Sequence, residues 1–331
     1  MRTSHAWIAT YAVTGALQPL LVDRLKQRGL APARLLGPMM ANLIGMTLVA
    51  PAREACVGSP APIAQTVRAS WRPLAAAAAL DFGSAALLCV GLLYAGAAAF
   101  TLVYASCAPL VSAIGAAAGA QIRREQWLAI ALATLGLALY ELACKSEGKA
   151  AADARLWGSL LAFLGSVGHS GMFVMAEHAL ENKSAKAAGL TPFRLSSCMG
   201  AAETMVLATY VALQVTDYDA ERMSNVAVAY APLILIDGLH ALSFFATLGE
   251  RGAVSAAMLK GVQVVFVFVA SSVLSCDTES GAGCATPAKA AGVAIVVAGL
   301  ALFYAKEPPR LRGASASGDD GEELLLPSTV T

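Results

Sequence analysis

The chain has 331 residues, of which 57% are apolar and only 14% are charged, and its formal net charge is +1. This composition lies outside the range of ordinary soluble globular domains and predicts a polytopic membrane protein. The nearly balanced charge, without a block of basic residues, argues against a nucleic-acid partner.

Apolar segments of about 17 to 25 residues are long enough to cross a bilayer as helices. The sequence contains ten segments of this kind, so we expect an all-α protein with ten transmembrane helices. The expected spans are 6–22, 35–50, 74–94, 97–120, 127–144, 157–175, 195–215, 228–248, 253–275 and 288–304.

Short motifs recur in the same order in the two halves of the chain. The sequence GLAPARL returns as GLTPFRL, Asp81 returns as Asp237, and GLALY returns as GLALF. Gly96 and Ala97 likewise return as Gly252 and Ala253. Four matches in one order indicate an internal repeat rather than chance.

Each repeat holds five spans, an odd number, so the second copy must enter the bilayer from the opposite face. We therefore expect two inverted five-helix repeats, residues 1–150 and 151–305, followed by a disordered cytosolic tail, residues 306–331. Inverted repeats characterise secondary transporters, whose substrate site lies near mid-membrane where the halves meet.

Lys260 is the leading candidate for a substrate-binding residue. It lies within the ninth span, where a bare ammonium costs on the order of 3 kcal/mol and normally faces a cavity or the interior of a bundle. Gln263 follows three positions later, on the same helical face. The alternative is an ammonium that only pairs with a carboxylate to hold two helices together.

The third to fifth spans show an Asp-headed span, a turn of small residues, a basic-acidic loop, the pair QW and a late glycine. This layout resembles the drug/metabolite transporter superfamily, the ten-span proteins that include nucleotide-sugar, triose-phosphate and EamA-type carriers. The segment AAMLKGVQVVFVFVASSVL is similar to the ninth span of the eukaryotic nucleotide-sugar branch, where a lysine contacts the anionic substrate. The resemblance implies that role for Lys260 alone, because Tyr104 stands at its repeat-equivalent position.

Tyr104 and Cys107 are the second-rank candidates for substrate binding. Together with Val111 they share one face of the fourth span, and the repeat places that face opposite Lys260.

Five further polar residues lie within the expected spans and are candidates for proton coupling or ion pairing. Asp81 and Asp237 lie near the expected starts of their helices, where a carboxylate can also act as a cap. Glu203 has no such position and is the stronger coupling candidate. His169 and His240 could relay protons or bond a neighbouring hydroxyl or carbonyl.

The histidines do not show the spacing of a metal site, so we expect no metal, no cofactor and no enzymatic activity. The small-residue motif GAAAG at 115–119 indicates close helix packing, either within the chain or across a homodimer.

Arginine and lysine are more frequent in the loops on the side of the two termini, which predicts that both termini are cytosolic. Cys276 and Cys284 would then bracket a loop on the lumenal or external side, either as a disulfide or as two free thiols. In the tail, Asp320, Leu324 and Leu325 resemble an acidic dileucine signal for a sorting adaptor. This signal favours an endomembrane, such as Golgi, endosome, lysosome or vacuole, over the plasma membrane.

We therefore expect a secondary carrier, either an exchanger or a proton-coupled transporter, of a small polar or anionic metabolite such as a nucleotide sugar or a related compound. The alternative is a non-transporting membrane protein of the same fold that serves as a partner or scaffold.

Overall fold

The computed structural model describes residues 2–31, 36–58, 62–142, 149–214, 220–274 and 286–305. Within these ranges the chain is helical and contains no strand. The helices are α1 (Arg2–Gln27), α2 (Gly37–Val57), α3 (Ile63–Ala95), α4 (Ala97–Tyr104), α5 (Cys107–Ala117), α6 (Arg124–Leu142), α7 (Lys149–Glu181), α8 (Lys183–Ala187), α9 (Pro192–Gln214), α10 (Ala220–Arg251), α11 (Ala253–Leu274) and α12 (Pro287–Tyr304). The expected all-α architecture is confirmed for the described part of the chain.

Several of the candidate residues lie outside the described ranges. They are Cys276, Cys284, Asp320, Leu324 and Leu325, together with the rest of the tail.

Six helical segments of the described chain are long and apolar enough to cross a membrane, which indicates a multi-pass membrane protein. These segments are Ile63–Ala95, Ala99–Ala117, Asp153–Glu181, Val226–Arg251, Ala253–Ala270 and Pro287–Tyr304. Helices α1, α2, α6 and α9 are not among them. The expectation of ten spans is therefore met in part.

The fourth expected span is broken, because α4 ends at Tyr104 and α5 begins at Cys107. Pro109 has no N–H group, so it cannot donate to the carbonyl of Ala105 as a helix would require. The N–H of Ala108 donates to that carbonyl instead, at 3.1 Å, which tightens the chain at this point. The expected continuous face from Tyr104 through Cys107 is interrupted here.

Helices α3 and α10 begin well before the apolar segments that predicted them, at Ile63 and Ala220. Asp81 and Asp237 therefore lie in helix interiors, where the backbone N–H groups are already bonded within the helix. Their interpretation as N-terminal caps is wrong. A hydropathy window misses such extensions because a helix can continue, with polar residues, beyond the apolar layer.

The most extensive helix contacts join the first half of the chain to the second. Helix α3 packs on α7, α6 on α12, α2 on α9 and α10, and α1 on α10. The fourth-span helices α4 and α5 contact α7 and α11 in the same way. The interior of the bundle is therefore built where the two halves meet.

The contact between α6 and α12 depends on Gly136 and Gly299, which lie in the GLALY and GLALF motifs. A Cβ atom on Gly136 would lie 2.6 Å from the carbonyl oxygen of Gly292 and 2.7 Å from the nitrogen of Val296. A Cβ atom on Gly299 would lie 2.8 Å from the corresponding backbone atoms of Ala129 and Ala133. The two backbones can approach this closely only with glycine at both positions.

A buried ion pair joins α2 and α9 at one end of the bundle. Arg194 Nε donates to Glu54 Oε1 at 2.6 Å, and an Nη1 hydrogen bond of 3.1 Å reaches the hydroxyl of Thr66 on α3. Arg194 is only 1% exposed. Its charge is therefore neutralised inside the fold, and Arg194 is not an ordinary loop cation.

The GAAAG motif makes its observed contact within the chain. Gly115 is buried, and a Cβ atom there would lie 3.5 Å from Val254 on α11. That distance is an ordinary van der Waals contact, so this packing does not require glycine, and the homodimer stays a prediction.

Candidate functional site

A central cavity lies among helices α1, α2, α3, α4, α7, α10 and α11. Its empty volume is about 1040 Å³, including the space at its opening. The polar and aromatic residues that line it are Gln18, Asn42, Asp81, Thr101, Tyr104, His169, Asp237, His240, Lys260 and Gln263 together with Phe100, Phe244 and Phe245. Both halves of the chain contribute to this wall.

Lys260 lies in this cavity and is only 4% exposed. Its Nζ atom is 4.3 Å from the ring centroid of Tyr104 and 5.1 Å from that of Tyr11. No carboxylate of the described residues lies within the 4.0 Å of an ion pair. The ammonium is thus held by two aromatic faces, which argues against the alternative of a purely structural ion pair.

Tyr104 and Lys260, which the repeat predicted from the sequence would make equivalent, contact each other directly. Each lies on a helix that begins just after a left-handed glycine, Gly96 (φ 78°) or Gly252 (φ 82°). The two turns carry the same pair of backbone hydrogen bonds around their glycines. A residue with a Cβ atom would strain both turns, so these glycines fix where α4 and α11 start.

A carboxylate from a neighbouring helix caps each of these two helices. Asp23 on α1 accepts from the N–H of Ala97 at 3.0 Å, and Glu177 on α7 accepts from the N–H of Ala253 at 2.8 Å. A carboxylate at a helix N-terminus satisfies a free donor and interacts favourably with the helix dipole. These acids cap α4 and α11, whereas the caps expected of Asp81 and Asp237 concerned α3 and α10.

Asp81 and Asp237 line the cavity and differ in their partners. Gln18 Nε2 donates to Asp237 Oδ1 at 2.6 Å. Asp81 Oδ1 lies 3.0 Å from His169 Nδ1. The two atoms are not aligned as a hydrogen bond, but the contact is an ion pair when the ring is protonated. Both aspartates are buried, so the cavity contains two acids and one ammonium without a direct bond between them.

His240 and Gln263 both contact α1. His240 Nδ1 lies 3.1 Å from the hydroxyl of Thr14, and its ring stacks on Tyr11 at 4.7 Å. Of the two roles expected for His240, the structure therefore favours the bond to a hydroxyl. Gln263 Nε2 donates to the carbonyl oxygen of Tyr11 at 3.2 Å, so this residue connects α11 to α1 beside Lys260.

An aromatic series follows the cavity wall. The consecutive ring distances are 5.4 Å for Phe100 and Tyr104, 5.6 Å for Tyr104 and His169, 4.9 Å for His169 and Phe173, 4.6 Å for Phe173 and Phe244, and 5.7 Å for Phe244 and Tyr11. Of these rings, Phe173 and Tyr11 are fully buried and do not line the cavity. The other four line it and give it broad faces on which a flat ligand group can stack.

Sequence reasoning missed the contribution of α1. Tyr11, Thr14 and Gln18 all contact cavity residues, and the one sequence signal was the polar Gln18 inside an apolar span.

Cys107, which was expected to bind substrate, does not line the cavity. It is fully buried, and its Sγ lies 3.6 Å from the carbonyl oxygen of Ser166.

Glu203 lies on α9, outside the cavity wall, and is 2% exposed. Neither of its carboxyl oxygens has a hydrogen-bond partner among the described residues. A buried carboxyl without a partner is costly to the fold and therefore calls for an explanation beyond packing.

Replacing Glu203 by methionine is expected to raise the free energy of unfolding by about 1–3 kcal/mol, because the change removes an unsatisfied buried group and keeps the side-chain length. Thermal unfolding in detergent measures this. Glu250→Met at an exposed position is the control and should change stability by less than about 0.5 kcal/mol. A less stable Glu203→Met protein would contradict the view that the carboxyl has no stabilising contact.

No family model and no curated protein matches the chain. A solved structure, described only as the crystal structure of a protein, superposes with a TM-score of 0.51 over 89% of this chain and 98% of its own. The two sequences are 17% identical, so this likeness concerns the fold alone.

Proposed function

We propose that the protein is a secondary membrane carrier that binds a small polar or anionic metabolite at Lys260 in the central cavity. The main support for this function is the environment of Lys260. Its buried ammonium faces the cavity and has no carboxylate within ion-pair distance among the described residues. A charge in that position is costly unless a ligand uses it. Sugar phosphates, nucleotides, nucleotide sugars and organic acids are the ligand classes to test.

The proposed carrier has ten spans arranged as two inverted repeats, residues 1–150 and 151–305, which rock around the cavity. In this proposal, helices α1, α2, α6 and α9 also cross the membrane, in addition to the six apolar segments. Equivalent contacts in the two halves support it. They include the glycine turns before α4 and α11, the caps from Asp23 and Glu177, and the mutual contacts of Gly136 and Gly299.

Transport in this proposal is either exchange or proton-coupled. Proton coupling would use titratable groups of the cavity wall, namely Asp81 with its neighbour His169, Asp237 and His240, together with the buried Glu203 outside the wall. Of these, Glu203 is the residue to test first. Its buried carboxyl makes no hydrogen bond within the described residues, so a structural role does not explain its presence.

The competing proposal is a non-transporting membrane protein of the same fold that acts as a partner or scaffold. A thermal-stability screen separates the two, because a ligand that binds only the native state raises the melting temperature by mass action. The purified protein is heated with sugar phosphates, nucleotides, nucleotide sugars and organic acids. Matched neutral sugars and nucleosides are the controls.

A carrier should respond to one anionic class and not to its neutral counterpart. At a concentration of about 100 times the dissociation constant, the native state gains about 2.7 kcal/mol. The scaffold proposal predicts no shift for any compound in the set.

The proposed topology places both termini in the cytosol, with the protein in an endomembrane and the tail read by a sorting adaptor. Asn182 tests this orientation, because its NKS sequence is an acceptor for N-glycosylation. The side chain is exposed and caps α8 by accepting from the N–H of Ala185 at 3.0 Å. We expect Asn182 to stay unmodified in eukaryotic membranes, since a cytosolic loop does not meet the glycosylation machinery.

Glycosidase treatment followed by mass measurement checks the expectation, with Asn182→Gln as the reference. A glycosidase-sensitive mass that disappears in Asn182→Gln would reverse the orientation. Of the two alternatives for Cys276 and Cys284, the disulfide would then lose its basis, because their loop would lie on the reducing side.

A further inference from the structure

A second cavity lies on the outside of the bundle, among α1, α2 and α10, with an empty volume of about 1350 Å³ that includes open space. Its walls are aliphatic and largely exposed. Leu48 is 52% exposed, Leu235 is 64% and Leu239 is 38%. Because α10 is one of the apolar helices that can cross a membrane, this groove opens towards lipid rather than towards the central site.

The groove exists because α2 and α10 approach closely at two glycines. A Cβ atom on Gly45 would lie only 2.6 Å from the backbone nitrogen of Gly238. Because glycine has no side chain, the surface over this contact is empty. The larger side chains on both sides of it form the walls of the groove. Small residues at a helix interface commonly allow such an approach.

Polar residues of the groove occur at one end. Helix α2 runs in the same direction as α10, since Gly37 contacts Tyr230 and Gly45 contacts Gly238. Arg53 therefore lies about two helical turns beyond the glycine contact. Helix α1 runs the opposite way, with Gln18 at Asp237 and Thr14 at His240. Trp7 at the start of α1 consequently lies at the same end as Arg53.

The guanidinium of Arg53 is held in place without an ion pair. Its Cζ atom lies 4.4 Å from the ring centroid of Phe193. The adjacent acid, Glu54, is bound to Arg194. No carboxylate of the described residues pairs with Arg53, so its positive charge is available to a ligand.

We propose that this groove is a binding site for an anionic phospholipid, with one acyl chain along the leucine walls and the phosphate at Arg53. The aliphatic walls suit a hydrocarbon chain, and a planar guanidinium is suited to phosphate. A tryptophan and an arginine at one end of a membrane-facing groove are the residues expected at headgroup level. The site does not depend on the proposed transport activity.

Native mass spectrometry of the intact, delipidated protein tests the proposal. Phosphatidylinositol and phosphatidylserine are compared with phosphatidylcholine of the same acyl chains. We expect one retained anionic lipid and a preference of about tenfold over phosphatidylcholine. All three lipids carry a phosphate, but the quaternary ammonium of choline cancels its charge, whereas the two anionic headgroups keep a net negative charge that attracts Arg53. Arg53→Gln should remove this preference, and Leu235→Trp, which fills the groove from an exposed position, should reduce retention of both lipid classes.

Arg72→Gln is the matched control, because Arg72 also lies over an aromatic ring, Trp71, but does not line the groove. It should bind lipid as the wild type does, and melting temperatures should show that all three variants are folded. The proposal is overturned if Arg53→Gln retains the full preference or if phosphatidylcholine binds equally well. Displacement of the lipid by inorganic phosphate alone would also overturn it, since the acyl chain would then contribute nothing.

Discussion

Replacing Lys260 by alanine is expected to abolish binding of the anionic ligand while leaving the protein folded and at least as stable as the wild type. The change removes a buried charge together with its contacts to Tyr104 and Tyr11. The lost cation–π contacts are worth about 0.5–2 kcal/mol, and the relief of burying an ammonium offsets them. Thermal unfolding with and without the stabilising ligand measures both effects.

A structural role for Lys260 predicts the opposite sign. If the ammonium neutralised Asp81 or Asp237, its removal would leave an unpaired buried carboxylate and cost about 3–5 kcal/mol. Lys183→Ala, at an exposed position on α8, controls for the loss of one positive charge. We expect Lys260→Arg to fold but to bind poorly, because a planar fork does not replace a compact ammonium between two rings.

Leucine in place of Gly136 or Gly299 is expected to prevent formation of the native bundle. Even a Cβ atom at either position would lie within 2.8 Å of the backbone of the facing helix, and backbone cannot move aside as a flexible side chain can. Alanine should already cost about 1–3 kcal/mol at each position. The two alanine variants should lose similar amounts, because each glycine meets equivalent atoms of the other helix.

Gly83→Ala provides the control for this pair. Gly83 lies within α3, and a Cβ atom there would meet open space, with no atom within 4 Å. Alanine there should raise stability by up to about 1 kcal/mol through its higher helix propensity. If Gly136→Ala and Gly299→Ala were as stable as the wild type, the close packing of α6 on α12 would not hold the bundle together. Fluorescence-monitored size-exclusion after heating suffices for all of these variants.

Hydrophobic segment length predicted most of the helices, because the cost of exposing backbone in lipid leaves few other structures for an apolar run. It did not predict where α3 and α10 begin, and the misplaced starts produced the wrong capping interpretation of Asp81 and Asp237. The break before α5 had a local cause in Pro109, which the sequence displays but which the hydropathy of a segment does not register.

Site residues could be predicted from the sequence where burying the side chain in an apolar span is itself costly in free energy. Lys260 could be singled out because an ammonium in an apolar span is expensive wherever it points. Tyr11 could not, since an aromatic residue in an apolar helix gives no such signal and its place beside Lys260 is set by the packing of α1. The caps from Asp23 and Glu177 were equally hidden, because they join elements far apart in the chain.

Transport by the purified protein tests the central claim most directly. Proteoliposomes are loaded with the anion that most stabilises the wild type, and counterflow uptake of the same labelled anion is followed. We predict saturable uptake by the wild type and by Lys183→Ala, and none above empty liposomes for Lys260→Ala. Uptake by Lys260→Ala at the wild-type rate and affinity would contradict the proposed role of Lys260 in transport.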